Sequence, residues 1–219
     1  MQKASPKKPI RRPQHQQRPG MEYKMDPVPQ TEPADLSVPG KLNGKVALIT
    51  GGDSGIGKAV ALLFAKEGAD IIIAYLNEHE DAGEVKRLVE EKYHRSCMLI
   101  AGDLSKENFC KKVISTIAKK YKNIDVLVNN AAIHYESRSL AELSTEQLMK
   151  TFSTNIFSMF WLCKAALPYM KKGSCIINTT SVTAYRGSAE MMDYASTKGA
   201  IVSFTRSLSG NLVDKGIRV

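Results

Sequence analysis

Paired cysteines, clustered histidines and long apolar runs are all missing from this 219-residue sequence, and each absence removes a class of protein. Cys97, Cys110, Cys163 and Cys175 stand apart with no C-x-x-C pair, which argues against a disulfide framework and a thioredoxin-like motif. Four histidines without ligand spacing give no zinc site, so no metal is expected. The cysteines read as small buried hydrophobes in a reducing compartment, and the cytoplasm is the expected setting. No apolar stretch approaches the ~20 residues needed to cross a bilayer, and the first forty residues lack the apolar core of a signal peptide. Pro6, Pro9, Pro13 and Pro19 would break an amphipathic transit helix.

Acidic residues are absent until Glu22, whereas Lys3, Lys7, Lys8, Arg11, Arg12 and Arg18 precede it. That arm holds six of the nine net positive charges, and the rest of the chain is nearly balanced. No basic face is patterned on the body, so neither nucleic acid nor a membrane surface is an expected partner. Eight of the nine prolines lie at or before Pro39. A segment this poor in apolar side chains cannot bury enough surface to offset its ordering entropy. Residues 1–39 are expected to be a basic tail, disordered or extended over a neighbouring surface, ahead of one domain at 40–219.

From Lys45 the pattern changes. Short apolar runs at 46–50, 71–75, 97–101, 124–129 and 175–179 read as buried parallel strands. Between them lie helical patterns: 55–67 with Ile56, Val60, Leu63 and Phe64 on one face, 81–92, a helix capped by Ser105 and running to about Tyr121, and 194–212. Ser144-Thr-Glu-Gln147 has capping-box form and opens a long helix past Asn155 toward Met170. Ile217-Arg-Val219 reads as the start of a sixth strand. Alternating strands and helices require right-handed crossovers, hence a doubly wound, Rossmann-like α/β sheet in a single domain. Ligands bind such sheets at the carboxyl ends of the strands, where every motif below falls.

Thr50-Gly-Gly-Asp-Ser-Gly-Ile-Gly57 joins the first strand to the first helix. Its glycines permit a tight turn, and the helix start offers free N–H groups to a pyrophosphate. The candidate cofactor-binding residues here are Thr50, Gly51, Ser54, Gly55, Ile56 and Gly57, with Asp53 expected to point away or to cap a backbone N–H. The second strand ends in Tyr75-Leu76-Asn77-Glu78, which offers neither a clear acid for ribose hydroxyls nor a base for a 2′-phosphate. Ser54 is neutral, and Lys58 reads as a helix-surface residue. The cofactor expected is NAD(P), with a lean to NAD.

Ser181 follows the fifth strand, and Tyr194 and Lys198 lie four apart on the next helix, so they share a face. Moving a hydride between an alcohol and a carbonyl requires a proton to be delivered or removed at oxygen. A free tyrosine, titrating at about 10, is a poor base at neutral pH. A neighbouring ammonium favours the phenolate. Lys198 supplies that charge and can reach the nicotinamide ribose, while the Ser181 hydroxyl holds the substrate oxygen.

These motifs together resemble the short-chain dehydrogenase/reductase family, which has the T-G-x-x-x-G-x-G spacing of residues 50–57. The resemblance runs from about Leu42 to Val219. It implies that Asp103-Leu104 contacts the adenine, that Asn129 and Ala131 belong to the family's N-N-A-G element with Ala132 in place of its glycine, and that Tyr75 borders the cofactor. It also implies that Asn155 holds a water-linked proton relay to Lys198. Catalysis is thus assigned to Asn155, Ser181, Tyr194 and Lys198, with Tyr194 and Lys198 also binding the cofactor. Pro13-Gln-His-Gln-Gln-Arg-Pro-Gly20, the glycine loop and Asp193-Tyr-Ala-Ser-Thr-Lys-Gly199 place it near the general-stress and glucose-and-ribitol-dehydrogenase-like branch. The resemblance implies a homodimer or homotetramer and a polyol, sugar or small carbonyl substrate. Family members continue beyond the position of Val219 with further strands, so the expected sheet is C-terminally incomplete. Tyr185, Arg186 and Met191 are the substrate-side candidates. Two other readings stay open at this point: a non-catalytic dinucleotide sensor with a partner-binding tail, and an inactive fragment.

Overall fold

The computed structural model describes residues 16, 20–27, 29 and 40–219. Five strands, β1 (Val46–Thr50), β2 (Asp70–Tyr75), β3 (Cys97–Ala101), β4 (Val126–Asn129) and β5 (Cys175–Asn178), form one sheet in the order β3-β2-β1-β4-β5. Every pairing is parallel. Alternation along the strands sends side chains to two separate cores, as a sheet covered on both faces requires. Leu48, Ile72, Leu127 and Ile176 face α3 (Glu107–Tyr121) and α5 (Ser158–Ala166). Ala47, Ile49, Ile71 and Ile73 face α1 (Gly55–Lys66) and α2 (His79–Arg87).

Several expectations shift in detail. The buried face of α1 is Gly57, Lys58, Ala61, Leu62 and Ala65, while Ile56 is exposed. Small residues let the helix approach the sheet closely, and Val60 and Phe64 pack at the rim. The N-cap of α3 is Lys106, because Ser105 is folded back onto Asp103: its N–H and hydroxyl both donate to that carboxylate, each at 2.8 Å. The long helix expected from Ser144 is α4 (Thr145–Phe152), a π-helical turn (Ser153–Phe157) and then α5. A short α6 (Thr183–Arg186), which sequence periodicity does not reveal, precedes α7 (Met192–Leu212). At the expected start of a sixth strand, Arg218 makes a parallel bridge to Cys175.

Where the structure describes the expected tail, the segment lies over the neighbouring surface of α1 and α2. Glu22–Lys24 form a 3-10 turn laid on α1 and α2, and Glu22 is buried. The Glu22 N–H donates to Asp81 Oδ2 at 2.8 Å, and Gln16 clamps Met21 through both its N–H (2.8 Å) and its carbonyl (3.1 Å). The remainder of the expected tail lies outside the described residues, as does most of the Pro13–Gly20 motif.

Candidate active site

The carboxyl ends of β1, β2 and β4, with the turn after β3, border a cleft of about 500 Å³. The glycine loop forms its floor. Gly51 has φ +62 and sits against Ala131, whose Cα would lie 3.1 Å from an added Cβ. A Cβ at Gly57 would meet the Gly51 carbonyl oxygen at 1.9 Å, so the first turn of α1 tolerates only glycine there. Thr50 is buried behind the loop rather than lining the cleft. Its hydroxyl donates to the Val128 carbonyl (3.3 Å) and accepts the N–H groups of Asn130 (2.9 Å) and Ala131 (3.0 Å), locking β1 to the end of β4.

Of the other expected cofactor residues, Gly51, Ser54, Tyr75, Asp103, Leu104 and Ala131 line the cleft. Gly55, Ile56 and Gly57 open α1 beside it. Asn129 is turned inward, its amide donating to Asn178 Oδ1 at 2.8 Å. The neighbouring Asn130 holds the loop instead, donating to the carbonyls of Thr50 and Gly51 at 3.3 and 3.2 Å. Ala132 has no left-handed φ, so alanine is accommodated where the family pattern has glycine.

The charged residues are arranged differently from the sequence expectation. Lys58 is not on the helix surface: its ammonium is buried, 2.7 Å from Glu22 Oε1 and 3.2 Å from Glu84 Oε2. The other Glu22 oxygen accepts the Gly55 N–H, one of the helix-start donors expected to be free for phosphate. Asp53 is among the residues that border the cleft, and its carboxylate takes a backbone N–H, one of the two expected arrangements. Its carboxylate is held by its own N–H and by Ser54, yet burial, reinforced by Glu78 and Asp81, pushes its pKa up to about 6. Glu22 and Asp81 could not be picked out as site neighbours because nothing in their spacing links the tail or α2 to the loop. Gly20, His134, Lys150 and Thr154 also border the cleft without a sequence signal.

Outside the residues that line the cleft, α7 brings Tyr194 and Lys198 together, and Ser181 lies in the turn between β5 and α6. The Lys198 side chain is 1% exposed and donates to the Thr179 carbonyl at 2.9 Å. Its ammonium lies 5.4 Å from the centre of the Tyr194 ring, and desolvation lowers its pKa to about 8. The Ser181 oxygen accepts the Thr183 N–H at 3.2 Å, which leaves its own proton available to donate. His134 packs edge-on to Tyr194, with ring centres 5.6 Å apart. Asp193 fixes the start of α7: it accepts the Tyr194 N–H (2.8 Å) and the Thr151 hydroxyl (2.7 Å). Asn155, fully buried in the π-helical turn, pairs with both the N–H and the carbonyl of Ile133 at 2.8 Å and donates to Thr197 at 3.2 Å. Tyr185 and Arg186 are exposed on α6 and Met191 is half-buried before α7. No group of metal-ligating side chains occurs among the described residues.

A parallel sheet in this order, with a glycine-floored cleft at its carboxyl edge, defines a dinucleotide-binding α/β protein. Comparison with known proteins narrows the class. Residues 45–219 match the family model described as short chain dehydrogenase. General stress protein 39 of Bacillus subtilis is 50% identical over 201 residues, spanning 92% of this chain and 70% of that protein. Glucose and ribitol dehydrogenase of Daucus carota is 46% identical over 213 residues, spanning 94% and 73%. Among solved structures, a short chain dehydrogenase from Burkholderia cenocepacia in complex with NADP superposes with a TM-score of 0.78 at 32% identity, covering 82% of this chain and 73% of that one. The chain belongs to the short chain dehydrogenase family and is an oxidoreductase of that family's general-stress and glucose-and-ribitol-dehydrogenase branch. The NADP in that neighbour lends no support to the lean toward NAD.

Proposed function

We propose that this protein interconverts an alcohol and a carbonyl compound with a nicotinamide dinucleotide, using Tyr194 as general acid and base. The observation that carries the reading is the buried Lys198 ammonium beside the Tyr194 ring. The cleft fits the cofactor by its volume, its glycine floor and the N–H groups at the start of α1. Gly51 and the first turn of α1 would hold the pyrophosphate, Asp103 and Leu104 the adenine, and Lys198 the nicotinamide ribose. When bound, the nicotinamide supplies or accepts the hydride.

The protein's own groups handle the proton. In the reducing direction the Tyr194 hydroxyl protonates the developing alkoxide, and the Ser181 proton steadies the same oxygen. Lys198 stabilises the phenolate left behind, at short range in a poorly solvated site. Asn155 and Asp193 position these groups by tying α4, its π-helical turn and α7 together. A polyol, sugar or small carbonyl substrate is proposed from the likeness to the carrot glucose and ribitol dehydrogenase. Selectivity leaning to NAD is supported by the acidic adenosine end, where Asp53 and Glu78 line the cleft and Lys58 is already paired. Four free cysteines favour a reducing, cytoplasmic setting. Phe160, half exposed and stacked on Phe204, favours a homodimer or homotetramer through α5 and α7.

Tyr194→Phe tests the central claim, because it removes one hydroxyl and leaves the cleft intact. Cofactor affinity should survive while turnover drops by a factor on the order of 10² or more. Near-normal turnover in the Phe variant would remove Tyr194 from the mechanism and favour a sensor.

A further inference from the structure

We infer that the N-terminal segment around Glu22 is a wall of the cofactor cleft, and that Glu22 is a specificity-determining residue that keeps the Lys58 charge from a 2′-phosphate. The inference rests on the dinucleotide-binding reading above and deepens it. Gly20, two residues before Glu22, lines the cleft beside Ser54, Tyr75, Leu76 and Glu78. That is the end of β2, where the adenosine ribose of a dinucleotide is read and where a 2′-phosphate would lie.

The segment is held there by charge rather than by apolar packing. One Glu22 oxygen takes the Gly55 N–H at the start of α1, and the other takes the Lys58 ammonium at 2.7 Å, with both side chains at most 6% exposed. In return, Asp81 of α2 accepts the Glu22 N–H. Lys58 projects from the first turn of α1, next to the loop that would cradle the phosphates. With Glu22 in place its charge is matched, and the other groups nearby, Asp53, Glu78, Asp81 and Glu84, are all acidic. A dianionic 2′-phosphate approaching Lys58 therefore meets a charge that Glu22 and Glu84 already match. Neutralising Glu22 removes one negative charge and leaves Lys58 matched only by Glu84, which is half exposed. The field at the ribose end then turns toward the phosphate.

The variants Glu22→Gln and Lys58→Gln change the local charge in opposite senses. Glu22→Gln keeps an oxygen for the Gly55 N–H, and Lys58→Gln leaves the carboxylate unmatched. NAD and NADP are titrated by calorimetry into the intact protein and into both variants, with thermal unfolding recorded alongside. The expected result is a ratio of NADP to NAD affinity that rises in Glu22→Gln and falls in Lys58→Gln, each by roughly three- to tenfold, the scale of one unit charge across a partly desolvated cleft. A general loosening of the fold lowers both affinities together, so an unchanged ratio in the two variants overturns the inference even if either is destabilised. If the wild type binds both cofactors and the ratio stays fixed, only the Glu22 assignment fails. Binding of neither cofactor by the wild type overturns the dinucleotide-binding reading as well.

Discussion

At the scale of single residues, the site places a charge where the fold would be more stable without one. Lys198 titrates at about 8 in the folded chain against 10.5 when free, because burial penalises the ammonium. Between those values the unfolded chain binds the extra proton, so stability contributed through this group rises with pH across that window. Below about pH 8 the native state carries the buried charge at a cost, and the hydrogen bond to Thr179 offsets part of it. Lys198→Met should therefore raise the unfolding free energy by about 1–3 kcal/mol at pH 7 and abolish turnover. Chemical denaturation at pH 7 and pH 10 checks the sign: the advantage of Met should shrink at pH 10, and equal stability at pH 7 would contradict it. The nearness of Tyr194 and Lys198 was legible in the sequence because a spacing of four on a helix fixes a shared face, and the place of Ser181 because it follows a strand end. Glu22 and Lys58 were not. Their pairing joins positions whose proximity no local period encodes, and a lysine in the first turn of a helix reads by default as solvated.

At the scale of elements, strands were the most legible part, since parallel strands buried on both faces appear as unbroken apolar runs. Helix ends were less so. Ser144 does cap α4, accepting the Gln147 N–H at 3.1 Å, as the capping-box pattern predicts. The reciprocal half is diverted: the Gln147 amide donates to Ser137 and Asp193, at 3.1 and 3.2 Å, so a cap residue supports the start of α7. The π-helical turn was invisible to a periodicity of 3.6, yet it is where Asn155 enters the core. Asn155 satisfies both backbone groups of Ile133, which the β4 strand pattern cannot pair. Asn155→Ala should leave those groups unmatched in a buried place and lower stability by about 2–4 kcal/mol. A shift of the denaturation midpoint at constant slope reads this directly. A shift below about 0.5 kcal/mol would mean that water reaches and satisfies the Ile133 groups once the amide is gone.

At the scale of the whole molecule, composition left the tail either disordered or extended over a neighbouring surface, and the part the structure describes lies on α1 and α2. Residues 20–27 make a polar seam with α1 and α2, anchored by the buried Glu22–Lys58 pair and by Asp81. A proline-rich, apolar-poor segment looked unable to repay its ordering because hydrophobic burial was the only gain counted; ion pairing to a preformed helix start supplies another. Removing residues 1–39 should lower the unfolding free energy by about 1–3 kcal/mol, less than breaking the pair in place because Lys58 regains water. Thermal unfolding of the shortened protein tests this, and an unchanged midpoint would restore the view of a free tail.

The strand order also sets a timetable for the chain. β1 pairs with β2 and β4, so the centre of the sheet stays open until Asn129 has been made. Most of the residues that line the cleft, from Gly20 to His134, precede α4, whereas Ser181, Tyr194 and Lys198 follow β5. A nascent chain growing from its N-terminus therefore acquires most of the cleft lining well before it acquires Ser181, Tyr194 and Lys198.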